Sequence, residues 1–211
     1  MEKGMTRMII NREIALKNLT IARDILGAKG IPMFLHFGTL LGALREKDFI
    51  AHDDDTDVGV YGSDKKAIQA LIPALKAAGF EIVYTRDERL YKFKRQGEDL
   101  DFFFAYEKKN LFGRRWDLEG RASIPARHLD TLDETEFLGE RFKVPHDPYA
   151  VVRNLYGRTW NVPIAHFPSR VDWRQRLAKL RNNPGKFFFY IRRFLTDRSK
   201  KAASATKPSG I

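Results

Sequence analysis

Cysteine is missing from all 211 residues. Disulfides and thiolate metal centres are therefore excluded, and a reducing compartment fits. Long apolar runs are missing too. The opening stretch, MEKGMTRMIINREIALKNLT, holds nothing of signal-peptide length, and no later stretch approaches a membrane span. A cytoplasmic protein is expected, at most peripheral on the cytoplasmic face of a membrane. Several catalytic signatures are also lacking: no Gly-x-Ser-x-Gly elbow, no phosphate loop ending in Gly-Lys-Ser/Thr and no dinucleotide fingerprint. The five histidines, His36, His52, His128, His146 and His166, lack zinc-protease spacing and read as structural or solvent-facing.

What is present fits one globular core. The hydrophobic fraction is 43% and the aromatic fraction 12%, and a chain of this length buries one good core. The net charge of +11 is unevenly placed. Residues 170–211 carry twelve Lys or Arg against Asp172 and Asp197, giving +10, and the 26 basic and 25 acidic residues of 1–169 leave +1. A nucleic-acid enzyme more often carries its positive field along the active cleft, so no nucleic-acid partner is expected. The expected division is a catalytic domain over 1–169, a basic helical extension over 170–196 and a disordered tail over 197–211.

The densest chemistry lies in HFGTLLGALREKDFIAHDDDTDVGV, residues 36–60. Asp53, Asp54, Asp55 and Asp57 crowd together there. Carboxylates so close repel each other, and a divalent cation is the simplest compensation; a solvated acidic loop is the bland alternative. From Asp55 onward the alternation predicts a strand with Val58 and Val60 on one face. Asp55 and Asp57 then share the other face, about 6.6–6.8 Å apart at Cα. Gly38-Thr39 ends a short strand over 33–37 and starts a helix over 39–46, whose first amides face any anion placed there.

Periodicity places a helix over 10–26, stopped by Gly27 or Gly30, and another from Ser63 to about Ala78 that Pro73 kinks or divides. Strands are predicted over 80–85, 89–95 and 100–106. Asp101 sits among Leu100, Phe102, Phe103 and Phe104, and a charge in such a run needs a partner: a buried arginine, a metal, or a role as base. Residues 107–140 read as a hairpin and an excursion over the site. A helix follows Asp147-Pro148, where aspartate caps and proline suits the first turn. Tyr156 and Trp160 either pack in the core or line the site. Residues 186–195 alternate so that Phe187, Phe188, Ile191, Phe194 and Leu195 share one face. They suit an anionic membrane surface, the body of the protein, or a second copy.

Strand, Gly-Thr, helix, Asp-x-Asp strand, helix and a distant third acid is the order of a nucleotidyltransferase fold. Gly38-Thr39-Leu40-Leu41-Gly42 with Asp53-Asp54-Asp55-Thr56-Asp57 resembles the LicD/fukutin family of phosphotransferases, and Tyr156-Gly157-Arg158-Thr159-Trp160 resembles that family's Tyr-Gly-x-x-Trp segment. The resemblance covers roughly residues 10–165. It implies an α+β fold, a mixed sheet flanked by helices, with the basic helical tail appended. It also implies transfer of a phospho-alcohol, of phosphocholine or polyol-phosphate type, from a CDP-linked donor to a glycan or glycolipid hydroxyl.

On that resemblance Asp55 and Asp57 are the metal pair and Asp101 the third acid, holding Mg²⁺ or Mn²⁺. Gly38, Thr39 and Arg45 would face the donor phosphates. Asp53 and Asp54 assist the metal or position the loop, and Tyr156 and Trp160 line the substrate site. Two alternatives remain open: a strict nucleotidyltransferase acting on a small molecule, RNA or protein, and a non-catalytic basic protein that binds membrane or nucleic acid.

Overall fold

A computed structural model describes residues 10–51, 53–86, 89–111, 113–118 and 122–163. The expected basic extension and tail lie outside the described residues, as do the apolar face over 186–195, His52 and His166.

The chain opens with helix α1 (Arg12–Gly27), capped by Asn11, whose side chain accepts the Ile14 N–H. Ala15, Leu19, Ala22 and Leu26 form its buried stripe, at the spacing a helix requires. Gly30, at φ +69°, turns the chain towards β1 (Met33–Leu35). Helix α2 (Phe37–Arg45) starts two residues later and takes in Phe37, which the sequence assigned to the strand. Phe37 adopts φ +40°, and this left-handed step replaces the loop that a strand-to-helix reversal ordinarily needs.

Strand β2 (Asp55–Tyr61) leads into α3 (Lys65–Ala77), which runs undivided through Pro73. Next come β3 (Glu81–Arg86), β4 (Leu90–Arg95) and β5 (Glu98–Asn110). The hairpin expected within 107–140 is present, as β6 (Gly113–Leu118) pairs antiparallel with the end of β5. The part expected to pass over the site instead extends the sheet, as β7 (Ala122–Pro125) and β8 (Leu132–Phe137). The reason is register: β6 pairs with Ala105–Asn110, the half of β5 beyond Asp101, so the hairpin grows from the far end of that strand. Strand β9 (Glu140–Pro145) and helix α4 (Pro148–Tyr156) follow, and the Asp147 side chain caps α4 by accepting from Ala150 N–H. No helix among the described residues is long and apolar enough to cross a membrane.

The strands form one mixed sheet in the order β3-β4-β5-β2-β1-β9-β8, with β6 and β7 continuing from β5. Two pairings are parallel, β2 with β5 and β1 with β9; the others are antiparallel. Val58, Val60, Phe102 and Phe104 are completely buried on one face, the face that α1 and α3 cover. Phe103 points to the other face and meets Phe37 edge-on, with ring centres 4.8 Å apart. Both faces of β5 over residues 100–105 are thus buried, which explains the near-continuous apolar text of that half of the strand. The observed fold is α+β, a mixed sheet flanked by helices.

Candidate active site

The parallel register of β2 on β5 places Asp55 opposite Asp99 and Asp57 opposite Asp101. Because side chains alternate along each strand, all four acids stand on one face. One carboxylate oxygen from each of Asp55, Asp57 and Asp101 lies within 4.8 Å of the others. Asp57 is 9% exposed and Asp101 4%. The three acids named from the sequence therefore meet.

The start of α2 fixes Asp57 from three directions. Gly38 N–H donates to Asp57 Oδ2 at 2.9 Å, Asp57 N–H donates to Thr39 Oγ1 at 2.7 Å, and His36 N–H donates to the Asp57 carbonyl at 3.1 Å. The Gly38 amide, expected at a donor phosphate, is thus given to the Asp57 carboxylate. Glycine leaves room for the acids at that position: a Cβ there would lie 2.5 Å from Asp53 Oδ2 and 3.2 Å from Asp57 Oδ2 and would push the Asp53 carboxylate aside. Asp53 accordingly joins the cluster from the loop before β2, while Asp54 is exposed.

Lys92 completes the group, a residue that sequence reasoning missed. It stands opposite Asp101 in the antiparallel β4–β5 pair. Its Nζ lies 3.3 Å from Asp101 Oδ1, 3.3 Å from Asp99 Oδ2 and 3.7 Å from Asp55 Oδ2. The only signal in the text is the alternation of Lys92 and Lys94 with Tyr91 and Phe93, beside Asp99 and Asp101 across a tight turn. Knowledge of the pairing is what turns that alternation into contact. The partner of Asp101 is a lysine, where an arginine was one of the options.

These acids are electrostatically unsatisfied. Burial pushes the Asp101 carboxyl up to about 7, against the pull of Lys92 and with further upward pressure from Asp55. Burial raises Asp57 well above the carboxylate range, Asp55 adds to the rise, and the Gly38 amide only partly opposes it. Asp55 is raised by burial too, with Lys92 opposing. Asp117 behaves in the opposite way at 7% exposure. There Arg89 and Lys108 each approach to 2.8 Å, and their hydrogen bonds outweigh burial and hold its carboxyl below the usual range. A buried acid serving structure is thus neutralised within the protein, whereas the Asp55-Asp57-Asp101 group is not. Buried Asp101 Oδ1 has only the ion pair with Lys92, without an aligned hydrogen bond. Three hard oxygen donors at this separation fit a small divalent cation such as Mg²⁺ or Mn²⁺.

Of the remaining candidates, Tyr156 is the one the structure brings close to the acids. Tyr156, at the end of α4, is half-buried, and its hydroxyl proton is held tightly by burial and by the nearby charges of Asp57 and Asp53. Arg45 pairs with Glu46 at 2.8 Å and donates to the Trp160 carbonyl at 3.2 Å, tying the end of α2 to the segment after α4. Trp160 stacks at a tilt on Tyr149, with ring centres 5.9 Å apart. His36 is fully buried between Phe34 and Phe37, and burial lowers its pKa to about 3, so it is a neutral structural imidazole. His128 and His146 are likewise engaged, with the His146 carbonyl and Asp133 respectively.

The model of a family described as LicD/FKTN/FKRP, nucleotidyltransferase domain, matches residues 30–147, which contain every acid of the cluster. The chain belongs to this family. Within the LicD/FKTN/FKRP family it is similar to ribitol-5-phosphate transferase FKTN of Macaca fascicularis and of Homo sapiens. Each is 28% identical over 182 residues, covering 82% of this chain and 38% of the relative. This chain thus spans about two fifths of the length of those relatives. A protein of Rickettsia prowazekii is 33% identical over 89 residues, 42% of this chain and 32% of its own. Among solved structures, the antibiotic-resistance factor ANT(2'')-Ia has a TM-score of 0.49 at 16% identity, covering 92% of this chain and 96% of that one.

Proposed function

We propose that this chain is the catalytic domain of a metal-dependent phosphotransferase. It moves a phospho-alcohol from a CDP-linked donor to a hydroxyl of a cell-envelope glycan or lipid-linked oligosaccharide. The observation that carries this reading is the convergence of Asp55, Asp57 and Asp101 within 4.8 Å, two of them sharing one lysine, on a chain whose relatives include ribitol-5-phosphate transferases.

Asp55, Asp57 and Asp101 would hold Mg²⁺ or Mn²⁺, which supplies charge neutralisation for a diphosphate when bound. The protein's own part is placement. Gly38, Thr39 and His36 lock Asp57 in register, so its carboxylate needs no reorganisation when the donor arrives. Asp101, beside Asp55 and Asp57 among the converging acids, serves as the base that takes the acceptor's proton. The acceptor oxygen attacks the phosphorus that bears the alcohol and forms a new P–O bond. The bond from that phosphorus to the bridging oxygen breaks, CMP leaves with the electron pair, and the acceptor proton passes to Asp101. Tyr156, near Asp57 and Asp53, would form part of the wall of the substrate site with Trp160, and Arg45 steadies that segment through the Trp160 carbonyl.

A CDP-alcohol carrying separate labels in the nucleotide and in the alcohol tests the reading directly. With Mg²⁺ and a glycan acceptor, the alcohol label should move and the nucleotide label should be released as CMP. Movement of the nucleotide label would make the protein a strict nucleotidyltransferase. No transfer of either label from CDP-ribitol, CDP-choline or CDP-glycerol, with binding of none of them, would remove the donor class.

A further inference from the structure

Lys92 reaches two of the three carboxylates proposed to hold the ion. In phosphoryl-transfer sites with two metals the second cation stands about 3.5–4 Å from the first and shares its carboxylates. Here the Lys92 ammonium shares Asp101 at 3.3 Å and Asp55 at 3.7 Å with the proposed ion, and holds Asp99 at 3.3 Å as a carboxylate of its own. Its side chain is 24% exposed, and it leaves a central strand whose register sets it directly opposite Asp101. It is not a solvated surface lysine that swings away at no cost. Asp99 is pinned in turn by Lys94 at 2.9 Å, so Asp99 has little remaining charge to offer a metal.

We infer that the site takes one divalent cation, and that the ammonium of Lys92 stands where a second would. This rests on the metal site proposed above and goes beyond it by fixing its stoichiometry and naming a positioning residue. A tethered ammonium and a divalent ion disfavour each other on the same side of Asp55 and Asp101, because their repulsion at a few ångströms is only partly screened at a side chain 24% exposed. Lys92 holds those carboxylates converged before the ion arrives, limits the site to one ion, and keeps N–H donors beside the place where a diphosphate would lie.

The experiment is a Mn²⁺ titration of the full chain, followed by electron paramagnetic resonance and calorimetry, with and without CDP as an unreactive diphosphate. The wild type should bind one Mn²⁺ per chain in both conditions, with no Mn–Mn coupling. Lys92→Gln should bind its first Mn²⁺ on the order of tenfold more tightly, because a neighbouring positive charge is gone, and should take a second, magnetically coupled ion when CDP is present. Lys92→Arg, which keeps the charge, should behave as the wild type, and thermal melts establish that each variant is folded. Two coupled ions in the wild type would overturn the inference and leave the metal site standing. Unchanged stoichiometry and affinity in Lys92→Gln would do the same. Failure of the wild type to bind Mn²⁺, or binding undiminished by Asp57→Asn, would overturn the metal site itself, and this inference with it.

Discussion

Asp57 and Asp101 stand side by side on the parallel strands β2 and β5, both almost out of solvent, and the one ammonium that reaches Asp101, that of Lys92, is shared with Asp55 and Asp99. A pair of this kind costs stability. The same property that makes it expensive makes it useful, since the missing charge must come from outside the protein.

The first prediction follows from that tension. Asp57→Asn and Asp101→Asn should each lower transfer by at least about a thousandfold, since each removes a group whose effect is exerted in the transition state. Neither variant should unfold. An asparagine amide oxygen in place of the Asp57 carboxylate can still accept from Gly38 N–H, and each change removes a buried, repelled charge. In metal-free buffer near pH 8 both variants should therefore melt at or above the wild-type temperature. Turnover retained in either, measured on folded protein, would remove these residues from the mechanism.

Gly38 and Thr39 should separate geometry from stability. An alanine Cβ at position 38 would meet Asp53 Oδ2 at 2.5 Å, and that carboxylate is a side-chain end that can yield. Gly38→Ala should displace the acids, weaken Mn²⁺ binding by about tenfold or more, and cost at most roughly 1–3 kcal/mol of stability. Thr39→Val leaves the buried Asp57 N–H without its 2.7 Å acceptor and should cost about 1–3 kcal/mol. Thr39→Ser keeps that oxygen and should restore metal binding. Equal metal affinity in Thr39→Val and wild type, by calorimetry, would show that this hydrogen bond does not position Asp57.

Gly59 supplies the contrast. A Cβ there would fall 2.1 Å from the Phe34 ring, which is completely buried and has nowhere to move. Gly59→Ala should destabilise the protein by roughly 2–3 kcal/mol through overpacking. Activity per folded molecule should remain within about twofold, because the acids keep their places on β2. Denaturant titration with active-site counting distinguishes this from a direct loss of function. A variant of wild-type stability with tenfold lower turnover would place Gly59 in the site.

Most of the site was legible because its residues lie on strands, where a period of two fixes which side chains share a face. Asp55 and Asp57 could be paired from text alone, and Asp101 stood out as a charge inside an apolar run. Lys92 could not be found in that way. Its meaning comes from the antiparallel pairing of β4 with β5, and lysines alternating along a strand ordinarily mark a solvated face. The role of Gly38 was misplaced for a related reason: the sequence shows a helix start but not what its first amide reaches. Phe37 was assigned to a strand because the text carries no sign of its left-handed backbone. The excursion expected over 107–140 became sheet because polar, charged residues such as those of β6 and β8 suit strands with one solvated face.

Acidity gives the last prediction, and its sign is fixed by the direction of the shifts. Asp101 titrates near 3.8 when unfolded and at about 7 when folded, and Asp55 and Asp57 are raised as well. Between those limits the folded chain binds more protons than the unfolded one, so stability falls as pH rises. The contribution is complete below about 4 and is lost as pH passes through about 7, with a slope of about 1.4 kcal/mol per pH unit for each proton retained. The three acids titrate as a coupled set, so the fall should be broad and should not resolve into steps. Asp117, whose carboxyl is lowered, acts with the opposite sign and below this window. His36, lowered by burial to about 3, also acts with the opposite sign, within the window up to its unfolded value of 6.5. Divalent metal binds only the deprotonated acids, so added Mg²⁺ should raise the melting temperature little near pH 5 and progressively more towards pH 8. Melts in chelator and in Mg²⁺ across that range provide the check. A metal-free stability difference between wild type and Asp101→Asn that rises from pH 5 to 7, or a Mg²⁺ effect independent of pH, would mean that these carboxylates are already neutralised by the protein itself.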